Sequence, residues 1–247
     1  MQDLTMQDLT AHIALVTGAS RGIGAAIALA LARAGASVAV NYRERADDAD
    51  AVVAKIAASG GRAIAVAADV SQSADVATMI GRVTEALGPI DILINNAGMA
   101  IVRGVDDLTE AEFDLTISVN LKSAFLCTQA VLPAMRARQW GRIVNISSGA
   151  ARGAGAIGVH YNASKAGIEG LTRGYAARLV KQGITVNAVA PSLIETDMMA
   201  GRTDLARNIP LGRMGQADEV AQSVLMVLGN DYMTGQTILL NGGMAFI

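Results

Sequence analysis

A tyrosine and a lysine four residues apart open the most reactive stretch of the chain, Tyr161-Asn162-Ala163-Ser164-Lys165. On a helix, side chains at i and i+4 share a face, so the phenol and the ammonium can meet in one site. At ~4 Å and an effective dielectric near ~20, the cation would favour phenolate by about 4 kcal/mol, drawing a phenol from ~10 toward neutrality. Such a tyrosine can hand a proton to a developing alkoxide and recover it in reverse. Upstream, Ser148 follows an apolar run in Asn145-Ile146-Ser147-Ser148-Gly149. Its hydroxyl can orient a substrate carbonyl or simply shape a turn. Asn120 lies inside a helical pattern, Ser118-Val119-Asn120-Leu121-Lys122. Asn disfavours a helix interior, so it marks either a kink that can hold a water or a packed polar contact.

A second group of residues suits a phosphate. Thr17-Gly18-Ala19-Ser20-Arg21-Gly22-Ile23-Gly24 joins an apolar run directly to a helical pattern. Close backbone approach and the N–H groups of a helix start favour an anion there, making Gly18, Ser20, Arg21, Gly22, Ile23 and Gly24 candidate dinucleotide contacts. The spacing Gly-x-x-x-Gly-x-Gly differs from the common Gly-x-Gly-x-x-Gly. The next apolar run ends Asn41-Tyr42-Arg43, further candidate cofactor contacts, with no acid before Glu44. NAD-preferring sites place an acid at this point to bind the ribose hydroxyls. Two guanidinium groups, Arg21 and Arg43, suit a 2′-phosphate instead, so the expected cofactor is NADP(H). Asp69-Val70 closes a third run and Asn95-Asn96-Ala97-Gly98 a fourth, where the small Ala97 and Gly98 leave room for a cofactor against the backbone.

These residues need a scaffold that brings strand ends together. Strands are predicted at Ile13–Thr17, Ser37–Asn41, Ala63–Ala67, Ile90–Ile94, Arg142–Ile146, Thr185–Ala190 and Thr237–Leu240. Helices are predicted at Gly22–Ala34, Ala46–Ser59, Ala74–Leu87, Thr109–Arg138, Tyr161–Lys181 and Ala217–Leu228. Strands apolar on both faces that alternate with helices imply an α/β protein with a parallel sheet covered on both sides. No linker or composition shift divides the chain, so we expect a single doubly wound Rossmann domain, with its chemistry at the carboxyl ends of the strands.

Composition narrows the function classes. With 52% hydrophobic and 17% charged residues and a net charge of −2, the chain can build a large core and carries no basic surface for nucleic acid. The single cysteine, Cys127, excludes an intrachain disulfide and reads as a core residue. No metal-ligand pattern is present. His12 has no evident partner, His160 is expected at a surface helix start, and Trp140 is expected to pack or face an interface. The opening Met1-Gln2-Asp3-Leu4-Thr5 repeats as Met6-Gln7-Asp8-Leu9-Thr10, so residues 1–10 are set apart as a duplicated or disordered segment and the domain is taken as 11–247. No targeting signal or uninterrupted membrane-spanning stretch is evident, and a cytoplasmic protein is expected.

Together the motifs resemble the short-chain dehydrogenase/reductase family over nearly the whole chain. Thr-Gly-x-x-x-Gly-x-Gly, Asn-Asn-Ala-Gly, Asn120, Ser148 and Tyr161-x-x-x-Lys165 occur in family order and spacing. The resemblance implies that Tyr161 is the general acid/base, that Lys165 lowers its pKa and holds the nicotinamide ribose, and that Ser148 polarises the carbonyl. It implies that Asn120 anchors a water in a proton relay through Lys165. Asp69 and Val70 would contact adenine, Asn96 the cofactor ribose region, and Pro191, Ile194 and Thr196 the nicotinamide end. A seven-stranded parallel sheet flanked by helices, a homotetramer and a small carbonyl substrate follow from the same resemblance.

Within the family the chain is most similar to bacterial 3-oxoacyl-(acyl carrier protein) and acetoacetyl-CoA reductases, which implies a CoA or acyl-carrier thioester substrate. It departs from them at Pro191-Ser192, where Pro-Gly is common, and in the short segments Met198–Pro210 and Leu228–Tyr232. Gln139 and Gln182 replace carrier-binding arginines, with Arg138 and Lys181 beside them. A reductase of another ketone, quinone or sugar is the alternative enzyme, and a non-catalytic NADPH-binding sensor or scaffold the alternative class. Met99 and Met198-Met199 are candidate pocket linings.

Overall fold

The computed structural model describes residues 8–196 and 203–246. The chain alternates β1 (Ile13–Val16), α1 (Gly22–Arg33), β2 (Ser37–Tyr42), α2 (Ala46–Ala58), β3 (Ala63–Ala67), α3 (Ser73–Ala86) and β4 (Ile92–Asn95). Then follow α4 (Glu110–Ile117), a π turn at Ser118–Lys122, α5 (Ser123–Arg138), β5 (Gly141–Ile146), α6 (Val159–Leu179) and β6 (Ile184–Pro191). The short β7 (Ile194–Glu195) and β8 (Gly215–Gln216) pair with each other before α7 (Ala217–Leu228) and β9 (Thr237–Leu240).

Seven strands form one sheet in the order β3-β2-β1-β4-β5-β6-β9, every neighbouring pair parallel. The order reverses between β1 and β4, and such a switch point opens a crevice at the strands' carboxyl ends. Apolar residues on both strand faces bury against helices on both sides. Ala14, Val16, Val38 and Val40 pack with Ile27, Leu31 and Val224 on one face, while Leu15, Leu93 and Ile143 pack with Met79, Cys127 and Val131 on the other. A buried polar seam ties neighbouring strands near the crevice: Asn95 donates to Asn145 (2.8 Å), which donates to Thr172 (2.9 Å). The continuous helical run Glu110–Arg138 is, among the described residues, long and apolar enough to cross a membrane by composition. It lays Cys127, Val131, Leu132 and Met135 in the core of this fold.

The opposite end of the sheet is closed by a buried acid. Asp91 accepts from the Ile13 N–H (2.8 Å) and pairs with His12 (3.1 Å) and Arg138 (2.6 Å). His12 therefore has a partner, contrary to the sequence expectation, because β1 and β4 start side by side. Trp140 stacks on His12 with centroids 4.2 Å apart and lies under the Arg142 guanidinium at 4.3 Å.

The predicted boundary at Ala11 is corrected by Leu9. That side chain is 1% exposed and packs in the core, and its N–H donates to the Ala34 carbonyl (2.7 Å). Leu9 thus belongs to the folded unit; residues 1–7, the remainder of the segment set apart, lie outside the described residues. Leu9→Ala should lower the unfolding free energy by about 2–4 kcal/mol, measured by urea denaturation.

Candidate active site

A cleft of about 700 Å³ lies at the β1–β4 switch point, within the size range of cofactor sites. Gly18, Arg21, Gly22, Ile23 and Gly24 line one end, Asn41, Arg43, Asp69 and Val70 its side, and Asn96, Ala97 and Gly98 its floor. Ser148, Tyr161, Lys165, Pro191, Ile194 and Thr196 line the other end. Ser20 and Tyr42 do not line it. Side chains alternate along a strand, so Tyr42 packs against the helix-covered core face while its neighbours Asn41 and Arg43 turn to the cleft.

The turn between β1 and α1 admits no side chain at two positions. Gly18 has φ +60°, and a Cβ there would sit 2.9 Å from the Ala97 Cα. A Cβ on Gly24 would strike the Gly18 carbonyl and the Asn96 amide. Two asparagines fix this turn from beneath. Asn41 accepts from the Gly18 N–H (3.1 Å) and donates to the Val66 (3.3 Å) and Ala68 (3.2 Å) carbonyls. Asn96 donates to the Thr17 (2.9 Å) and Gly18 (3.0 Å) carbonyls. Both were expected as cofactor contacts, and both spend their amides on the backbone that would meet the cofactor. Helix α1 starts without a side-chain cap, leaving its first N–H groups for an anion at the cleft. Arg43 pairs with Glu44 at 2.6 Å, both groups well exposed, a contact worth little in water.

At the chemical end, Ser148 follows β5 and Tyr161 lies in the first turn of α6. Both hydroxyls line the cleft, and the Ser148 Oγ accepts from the Ala150 N–H (3.2 Å). Lys165, one turn further along α6, is 5% exposed and donates to the Ile146 carbonyl (2.9 Å). Its Nζ stands 5.8 Å from the Tyr161 ring centre. Burial lowers the Lys165 pKa from 10.5 to about 8. Burial also pushes the Tyr161 phenol above its ordinary value, partly offset by the Ser148 hydroxyl. The expected depression of the phenol by the ammonium is therefore reversed in this chain, because desolvation disfavours both charged forms. A phenol held protonated is the form that donates a proton to an alkoxide.

Asn120 lies in the π turn, buried behind the cleft. Its Oδ1 accepts from the Met99 N–H (2.8 Å), and its Nδ2 donates to the Met99 carbonyl (3.0 Å) and the Ser164 hydroxyl (3.1 Å). Of the two sequence alternatives, the structure has the packed polar contact, set in the π turn. The side chain braces the Met99 segment against α6, and Met99 lines the cleft.

His160 corrects another expectation. Helix α6 starts with Val159 pointing outward, which turns the next residue inward, and His160 is 0% exposed. Its Nε2 donates to the Ile101 carbonyl (3.0 Å), while Nδ1 is buried without a partner among the described residues. Sequence reasoning also missed Ala150, Ile157, Ser192, Leu205, Asn208 and Met244 as cleft residues. The glycines Gly153, Gly155 and Gly158 signalled a loop over the site, and Asn241-Gly242-Gly243 the turn that returns Met244 to it. Met198 and Met199 lie outside the described residues.

Residues 12–206 match the short chain dehydrogenase family. The chain belongs to that family. It is similar to a 3-oxoacyl-(acyl-carrier-protein) reductase of Synechocystis sp., 43% identical over 97% of this chain and 99% of the relative. It is also similar to a (2S)-((R)-hydroxy(phenyl)methyl)succinyl-CoA dehydrogenase subunit of Thauera aromatica, 41% identical over 94% of this chain and 96% of that one. Among solved structures, a short chain dehydrogenase from Burkholderia cenocepacia in complex with NADP superposes with a TM-score of 0.89 at 41% identity, over 96% of this chain and 99% of the other. This short-chain dehydrogenase is accordingly an oxidoreductase that works with a nicotinamide cofactor. The glycine cradle and the uncapped helix start fit that group.

Lys165 gives a pH dependence of stability. Between about pH 8 and 10.5 the unfolded chain binds more protons at this residue than the folded chain, so stability rises with pH through that window. Relative to Lys165→Met, the unliganded parent should gain about 1–3 kcal/mol between pH 7 and pH 10, read by urea unfolding at each pH.

Proposed function

We propose that this chain is an NADPH-dependent reductase of 3-oxoacyl thioesters. The observation that carries the chemistry is the convergence of Ser148, Tyr161 and Lys165 at one end of a cleft whose other end is a glycine cradle. The bound cofactor supplies a hydride to the substrate carbonyl carbon. Ser148 polarises the carbonyl oxygen, and the protonated Tyr161 gives its proton to the oxygen as charge develops there. Lys165 stabilises the phenolate left behind and binds the cofactor ribose, while Asn120 holds the wall and serves the proton relay behind it. A binding module would have no need for this hydroxyl pair.

Arg21 and Arg43, both at the adenosine end, support NADPH over NADH. Arg43 can exchange its exposed Glu44 contact for a phosphate at small cost, and guanidinium groups bind phosphate oxygens in pairs. Asp69 and Val70 would meet the adenine, and Pro191, Ile194 and Thr196 the nicotinamide.

The names of the two relatives support a thioester substrate, one on a carrier protein and one on CoA. For this chain we favour CoA. Arg138, the cation expected to compensate for Gln139, is held by Asp91, and Gln182 accepts from Arg136 at 2.8 Å. Of the two cations beside the replaced carrier-binding positions, Arg138 is thus engaged within the fold. We further place the enzyme in the cytoplasm as a homotetramer, in keeping with the family resemblance.

Absorbance at 340 nm with acetoacetyl-CoA should show turnover with NADPH and at least tenfold less kcat/KM with NADH. Arg43→Asp should narrow or invert that ratio. Tyr161→Phe should reduce kcat by at least about 10²-fold with NADPH binding retained, as loss of a general acid does. Turnover by Tyr161→Phe at the parent rate would remove the phenol from the mechanism.

A further inference from the structure

Ser192 lies between β6 and β7 and lines the cleft. Its backbone is fixed, since the Ser192 N–H donates to the Leu240 carbonyl (2.8 Å). Its hydroxyl donates to the Met244 thioether at 3.4 Å, and a thioether sulfur is a weak acceptor. This donor therefore changes to an oxygen acceptor at little cost. Its placement is specific: a Cβ built on Gly149, the residue after Ser148, would lie 3.4 Å from the Ser192 Oγ. Ser148 and Ser192 both line the cleft, and the Ser192 side chain lies against Gly149, the residue after Ser148.

A 3-oxoacyl thioester carries two carbonyl oxygens separated by one methylene. Reduction requires the 3-oxo group at Ser148 and Tyr161, which leaves the thioester carbonyl beside that pair. We propose that the Ser192 hydroxyl binds the thioester carbonyl oxygen and so selects β-dicarbonyl substrates; this rests on the thioester reading of the same site. The contact is made to a group that does not change charge as the 3-oxo group is reduced. It contributes equally to ground and transition states, and its loss raises KM with little change in kcat.

The test uses the full-length enzyme with acetoacetyl-CoA and NADPH. Ser192→Ala and Ser192→Gly should each raise KM about three- to tenfold, the weight of one hydrogen bond, with kcat within about twofold of the parent. NADPH affinity, read by fluorescence titration, should stay unchanged in both. Agreement between alanine and glycine assigns the effect to the hydroxyl. An unchanged KM, a divergence between the two variants, or a parallel loss of NADPH affinity overturns the proposal, the last by giving the hydroxyl to the cofactor. If the parent itself fails to turn over acetoacetyl-CoA, the thioester reading falls and this assignment with it. Parent turnover with unaltered variants sinks the Ser192 assignment alone.

Discussion

Lys165 sits in a place that water would not concede cheaply. Its ammonium is buried in the fold and donates to the carbonyl of Ile146, the last residue of β5. Together with the bonds from Asn145 to Thr172 and from Ser147 to the Lys165 carbonyl, this contact holds α6 against the end of the sheet, and with it the height of Tyr161 one turn earlier. Gly98, just past β4, borders the lysine closely: a Cβ there would lie 3.6 Å from the Lys165 Nζ and 3.4 Å from the Asn120 Oδ1. The chain accepts a buried cation whose pKa is pulled down to about 8, and the compensation lies in function rather than stability.

The cofactor end follows the same logic with neutral groups. A turn tight enough to bring backbone N–H groups against a phosphate exposes its own carbonyls to strain and loss of partners. Asn96, the residue after β4, supplies those partners to Thr17 and Gly18, and Asn41 of β2 accepts from the Gly18 N–H, so the cradle is held by the sheet rather than by its ligand. Preorganisation of this kind spares the binding step the cost of ordering a loop.

The architecture was legible because apolar runs and helical periods alternate without interruption, and the glycines at the turns limit where each element stops. The positions of Ser148, Tyr161 and Lys165 were legible because their spacing has chemical meaning on a strand end and a helix face. The environment of each was not. Whether a lysine lowers a tyrosine's pKa depends on the competing desolvation of both, which no spacing encodes. Asn41 and Asn96 illustrate a related limit: an amide at a strand end looks the same in sequence whether it faces a ligand or the backbone behind it. His12, His160 and Leu9 show a third limit, since their partners lie at distant points in the chain, at Asp91, Ile101 and Ala34.

The π turn at Ser118–Lys122 gives the long helical run one residue more than an α-helix would use there. A shortened chain, lacking one residue of this turn, could wind as a more regular helix with better-aligned hydrogen bonds. The same deletion would swing everything on one side of it by about 100° around the helix axis. Asn120 would then leave Met99 and Ser164, or α5 would turn its buried face away from the sheet. Local regularity and global register are in conflict at this turn, and the irregular form is the one that satisfies both the core and the site. Selection for a more stable enzyme therefore has little freedom here: the defect cannot be repaired piecemeal, and homologous chains that kept this geometry would be expected to keep its extra residue.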